Sequence, residues 1–119
     1  MPDTYIDPTA DQVRAVRDLE VEGPLVMLNL LRFNEGGAAR YQAYGEAAAP
    51  FLKQSGATIR YLGKVMATVI GGDAWDEVIL VEYPSKEAFL GMIAAEGYPS
   101  EMRASALADS RLYLTRAPG

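Results

Sequence analysis

Two stretches of this chain are apolar on both of their faces. Residues 25–33 (LVMLNLLRF) and 75–83 (WDEVILVEY) have the length of strands, and turn residues end each of them, 34–37 after the first and Pro84 after the second. In the first, Val26, Leu28 and Leu30 stand on one parity and Leu25, Met27 and Leu31 on the other. In the second, Ile79 and Val81 oppose Val78 and Leu80. An antiparallel sheet with one wet face alternates apolar and polar side chains. A sheet built on these two strands therefore needs cover on both faces.

The rest of the chain supplies one cover. Residues 1–8 read as an extended arm. Thr9 and Gln12 have capping-box spacing, and Val13, Val16 and Leu19 predict a short amphipathic helix to about Glu20, stopped by Gly23-Pro24. Residues 38–54 predict a helix with Tyr41, Tyr44, Ala48, Phe51 and Leu52 on one face and a kink or break at Pro50. Residues 57–70 are rich in β-branched side chains and predict a long strand, with Gly63 as a place to bend and 71–73 as the turn after it. Ser85 caps a helix that buries Ala88, Phe89, Met92 and Ile93 and closes at Gly97. Pro99 opens a short helix through Leu107, and 109–116 is the last strand.

After the leading helix the order is β-α-β-β-α-β. This split arrangement predicts an α+β, ferredoxin-like domain over the whole of 1–119, with 1–23 as an N-terminal arm and helix. Its four strands form one antiparallel sheet in the order 4-1-3-2, with the helices on one face. The leading helix offers only Val13, Val16 and Leu19 to cover the other face. A second copy of the same sheet is the simpler cover, which predicts a homodimer with an isologous interface.

Composition narrows the chemistry. With 119 residues the chain has room for one core. Its 16 acidic and 11 basic side chains give a net charge of −5 with no basic run, which argues against nucleic acid as a partner. The longest apolar run, 25–31, contains Asn29 and falls short of the roughly 20 residues that span a bilayer. No signal-peptide pattern opens the chain, so the expectation is a cytoplasmic protein that does not engage membranes. The chain has no cysteine and no histidine. That excludes thiolate chemistry, His-ligated metals and haem, and Ser-His-Asp triads, and the expectation is no metal and no cofactor. Acid–base work would fall to carboxylates, Tyr, Lys or water.

With the strands placed, several segments resemble the domain-of-unknown-function family 1330. They are the run 27–33 (MLNLLRF), Tyr41 with Tyr44, Gly56, the segment 82–85 (EYPS) followed by Ala88-Phe89, and Arg103 leading to 108–112 (ADSRL). The resemblance covers nearly the whole chain and implies a dimeric α/β barrel, in which two sheets close around an interior cavity. It implies no activity. One position departs from the family pattern: a histidine often precedes the arginine that matches Arg103, and Met102 stands there here.

Six side chains are candidates to line a ligand site: Asn29, Tyr44, Tyr61, Trp75, Glu82 and Arg103. Asn29 sits among aliphatics and needs a partner, either a backbone group or a ligand. Glu82 ends an apolar strand. Burial would raise its pKa and suit it to proton transfer, whereas an ion pair with Arg103 would make it structural. Tyr44 and Tyr61 read as core aromatics with a hydroxyl at a polar rim, and Trp75 as a core edge or a cavity wall. Asn29, Glu82 and Arg103 are also the catalytic candidates, with Asn29 and Glu82 expected on the same face. Arg32 has the opposite parity to Asn29 and is expected to pair with a carboxylate. Two readings of function follow. The first is a homodimer binding a small organic molecule in its interior, either as a binding protein or as a cofactor-independent enzyme; isomerisation or oxygenation is the chemistry that resemblance to related barrel families implies. The second is a non-catalytic dimeric module with a packed barrel.

Overall fold

The computed structural model of the chain describes residues 4–118. The proposed arm is covered by these residues only from Thr4 onward. Helix α1 runs over Ala10–Asp18, with the Thr9 hydroxyl accepting from the Gln12 N–H and the Gln12 side chain accepting from the Thr9 N–H, so the capping box is formed. No residue of α1 is buried, and the helix packs against α3 (Lys86–Ile93) rather than across the sheet. The Lys86 ammonium holds it there by donating to the carbonyls of Arg17 and Leu19 at its C-terminal end.

Strand β1 is Leu25–Phe33 and helix α2 is Gly37–Ser55. Gly36, at φ 71°, turns the chain into α2, and Gly56, at φ 80°, ends it; both conformations favour glycine. Pro50 lies inside α2 without breaking it. The sequence pattern predicted the helix but not its continuity. Pro50 is exposed, and the packing of Tyr44 and Ala48 before it and Phe51 and Leu52 after it carries one helix through the gap in the hydrogen-bond ladder.

Strand β2, Thr58–Lys64, is shorter than the β-branched run predicts. Strand β3, Glu77–Tyr83, starts opposite Lys64, so residues 65–70 have no neighbouring strand to pair with and join a loop instead. Asp76 clamps the base of that loop. Its carbonyl accepts from the Val65 N–H (2.9 Å), its own N–H donates to the Leu31 carbonyl (2.7 Å), and its carboxylate accepts from the Phe33 N–H (2.8 Å). Ser85 caps α3 through the Ala88 N–H. A short helix α4, Ser100–Ala106, leads into β4, Leu107–Thr115.

The four strands form one antiparallel sheet in the order β2-β3-β1-β4. On the helix face, Leu25, Met27, Leu31, Ile79, Val81 and Tyr83 meet Phe89, Met92 and Leu107 in the core. On the opposite face, Val26, Leu28, Leu30, Val78 and Leu80 form an apolar surface that no helix covers, flanked by Tyr61 and Tyr113, which are more than half exposed. The two-faced strands are thus covered on one side only within the chain.

Candidate functional site

The pairing register decides which candidates can meet, because residues directly opposite on paired strands share a face. Asn29 lies opposite Ile79 and Leu112, while Glu82 lies opposite Val26 and Thr58. Val26 and Asn29 have opposite parity on β1, so Asn29 faces the helices and Glu82 the open face. The shared Asn29–Glu82 site expected from sequence does not form. Asn29 donates from Nδ2 to the Ile79 carbonyl (3.3 Å), which is its structural role. Glu82 pairs with Arg60 at 3.0 Å, not with Arg103. Arg60 reaches it because a bulge in β2 between Ile59 and Tyr61 shifts the register there. Arg103 instead donates to the Ile6 carbonyl (2.6 Å). The same bulge puts Tyr61 on the open face opposite Leu80, 57% exposed and folded over Gly63, rather than in the core.

The helix side gathers phenols. The hydroxyls of Tyr44 and Tyr98 share a hydrogen bond, and their rings meet edge to face at 6.3 Å between centroids. Tyr41 stacks against Tyr44 at 5.2 Å and Phe33 at 5.5 Å. Burial pushes the Tyr41 hydroxyl up to about 12, partly offset by the nearby Arg103. Burial drives Tyr44 further above its ordinary value, with the Tyr98 hydroxyl adding to it, and burial also raises Tyr83. These three phenols stay protonated near neutral pH, so none serves as a general base. Every buried side-chain polar atom among the described residues has a partner. The helix side is a satisfied core.

The open face carries the more unusual constellation. Arg111 lies opposite Leu30, and its guanidinium carbon stands 4.8 Å from the centroid of the Tyr5 ring and 5.1 Å from that of Trp75. It donates to Asp109 Oδ1 (2.7 Å) and to the Ser110 carbonyl (2.7 Å). Asp109 also accepts from the Tyr5 N–H (2.8 Å) and the Ser110 N–H (2.9 Å), and Arg32 approaches it at 3.5 Å, the carboxylate pairing expected for that arginine. Burial would push Asp109 up. The bonds from Tyr5, Arg111 and Ser110 outweigh it and hold the carboxyl below its ordinary value.

Beside this cluster, the 65–76 loop and Leu30 border an open hollow of about 390 Å3 lined by Leu30, Val65, Val69, Ile70, Asp73 and Trp75, among others. Trp75 both lines the hollow and meets the Arg111 guanidinium, so it joins the hollow to the charged cluster. The loop tip is strongly apolar and unsheltered: Met66, Val69 and Ile70 are 83%, 91% and 94% exposed. A wider groove between the end of α1 and the start of α3 is lined mainly by charges, including Glu20, Glu22, Glu87 and Arg116. No group of His, Cys, Asp or Glu among the described residues is arranged to hold a metal.

Of the six sequence candidates, Tyr61, Trp75 and Glu82 lie on the open face and Asn29, Tyr44 and Arg103 on the helix side. Only Trp75 lines the hollow. The cluster around it rests on Tyr5, Asp109 and Arg111, which were not among the candidates. One sequence signal could have found the pair: Asp109 and Arg111 are two apart on a strand, which places opposite charges side by side on one face.

The fold and this face define an α+β protein with a four-stranded antiparallel sheet and four helices, one sheet face apolar and open. Two solved structures are similar to it. The methylated RPA0582 protein is 33% identical, with a TM-score of 0.90 over 98% of this chain and 96% of that one. The RPA0582 protein of unknown function from Rhodopseudomonas palustris is 32% identical, with a TM-score of 0.90 over 98% and 99%. The chain belongs to the family of the RPA0582 protein. No family model matches the chain, and no curated protein matches it.

Proposed function

We propose that this protein is a homodimer that binds a small organic molecule in the hollow beside the 65–76 loop, with the second copy's sheet laid against the open face. The observation that carries this reading is the uncovered apolar face itself, because α1, the one other element free to cover it, packs on α3. The loop tip extends the same surface, and exposed apolar area of this kind marks an interaction site. The face also carries both signs of charge, Arg60 with Glu82 and Arg32 with Asp109, which lets two copies of an acidic chain meet without like charges dominating. The hollow has the size of a small-molecule pocket and is walled largely by apolar side chains. The strand order supports a ferredoxin-like unit, and two such units face to face make a dimeric α/β barrel, the architecture implied by the resemblance to the family of unknown function 1330. A cofactor-independent isomerase or monooxygenase is the catalytic form of this reading.

Sedimentation tests the association. The intact chain is expected at twice its 12.9 kDa mass at micromolar concentration. Leu28→Asp, at the centre of the open face, is expected to give a monomer with an unchanged far-ultraviolet spectrum. A monomeric wild-type chain overturns the dimer.

A further inference from the structure

We propose that the hollow is one half of a ligand site, closed only when a second copy lies on the open face, so that each dimer carries two such sites and the single chain none. The inference rests on reading the hollow as a ligand site in a dimer and adds that the second copy supplies its missing wall. Leu30 carries the argument, since it lines the hollow and also lies on the open face, with the parity of Val26 and Leu28. Trp75 is tied to the same face through Arg111, which lies opposite Leu30. Whatever covers that face at Leu30 therefore covers the hollow too. The amount of surface fits such a cover. The chain exposes 7885 Å2, whereas a monomer of its 12.9 kDa mass exposes about 6,300 Å2. The surplus is of the size that one subunit gives to a homodimer interface. Part of it lies at the hollow itself. Val69 and Ile70 line the hollow yet are 91% and 94% exposed, an apolar rim that the single chain leaves in water. Asp76 fixes the base of that loop through Val65, Leu31 and Phe33, which holds the rim on a bonded frame. Apolar area in water is a driving force for association, and a second copy on the open face removes it at the rim and over Leu30 together.

Trp75 is the only tryptophan of the chain, so its emission reports on the hollow. Acrylamide quenching is measured on the full-length wild type, on Leu28→Asp and on Ile70→Asp, each with sedimentation under the same conditions. Ile70 is so exposed in the single chain that an aspartate there leaves the fold intact. The wild type is expected to sediment as a dimer, with Trp75 quenched about half as strongly as in the monomeric variants, because a closed interface excludes water. Ile70→Asp is expected to weaken the dimer by about tenfold, since association would bury its carboxylate. Added to Leu28→Asp, it is expected to leave quenching unchanged, which separates its effect through the second copy from any direct effect on Trp75. Benzene, which enters dry apolar cavities, then tells a closed hollow from a filled one. A saturable change in Trp75 emission is expected in the wild type and not in Leu28→Asp. A wild-type dimer whose Trp75 is quenched as strongly as in Leu28→Asp, an Ile70→Asp variant that associates as tightly as the wild type, or an equal response to benzene in the wild type and Leu28→Asp overturns the shared site and leaves the dimer standing. A shielded Trp75 that does not respond to benzene means that the second copy fills the hollow, which overturns the ligand site as well. A monomeric wild type overturns the shared site together with the dimer.

Discussion

Asp109 holds the open-face cluster together, since it ties the N-terminal arm, through the Tyr5 N–H, to the arginine that backs Trp75. Asp109→Ala removes the acceptor for three donors and is expected to lower stability by about 2–3 kcal/mol in chemical denaturation, with a shift in Trp75 emission as Arg111 loses its anchor. The pH dependence has a definite sign. The folded carboxyl lies below its ordinary value of 3.8, so its stabilisation is complete above that pH and is lost as pH falls through the lower folded value. The melting temperature of the wild type is therefore expected to fall more steeply in acid than that of Asp109→Asn; parallel curves would remove Asp109 as the cause. At this scale the sequence was only partly legible. Asn29 and Glu82 both interrupt aliphatic runs, but which face each occupies depends on register and bulge, and those are set by partner strands far away in the chain. Capping residues were legible because Thr9 and Ser85 act on N–H groups three residues on.

Among the elements, the contact of α2 with α4 is the tightest point. A Cβ on Gly37 would stand 2.1 Å from the Ala106 carbonyl oxygen and 2.8 Å from Asn34 Oδ1. Backbone cannot yield as a side-chain tip does, so Gly37→Ala is expected to cost about 3 kcal/mol, measured by denaturant unfolding. Gly45 has open space around it, and Gly45→Ala, in the same helix, is expected to stabilise the protein by about 0.5–1 kcal/mol. All four strands and every helix were legible from periodicity and caps, but several ends were not, the end of β2 and of α3 most clearly, nor was the continuity of α2. The β-branched run past Lys64 has strand propensity but no partner, and propensity without a partner leaves backbone groups to the loop. Pro50 reads locally as a kink or a break, and tertiary packing on both sides of it excludes the break.

At the scale of the whole molecule, the proposed interface takes in both the loop tip and the open face. Thermolysin, which cuts before apolar residues, is expected to spare 66–70 in the wild type if a second copy shelters them, and to cut there first in Leu28→Asp, as mass spectrometry of early fragments would show. Equal cutting in both proteins would mean that the tip lies outside the interface. The apolar character of both sheet faces was visible in residues 25–33 and 75–83 alone. The loop that builds the hollow was not, because its shape is fixed by Asp76 bonding to Val65, Leu31 and Phe33 across three segments.

The two edges of the sheet carry a consequence for how copies can add to one another. Along β4, Tyr5 exchanges bonds with Asp109 and Ser110, so the arm already occupies part of that edge. Along β2, the edge is exposed, but the bulge at Arg60 breaks its straight row of donors and acceptors, and Arg60 and Lys64 place charge on it. Such features oppose strand-by-strand extension, the route by which sheets grow into open-ended aggregates. Association through the face ends with two copies, whereas association through an edge has no natural end, and this chain obstructs the second route on both sides.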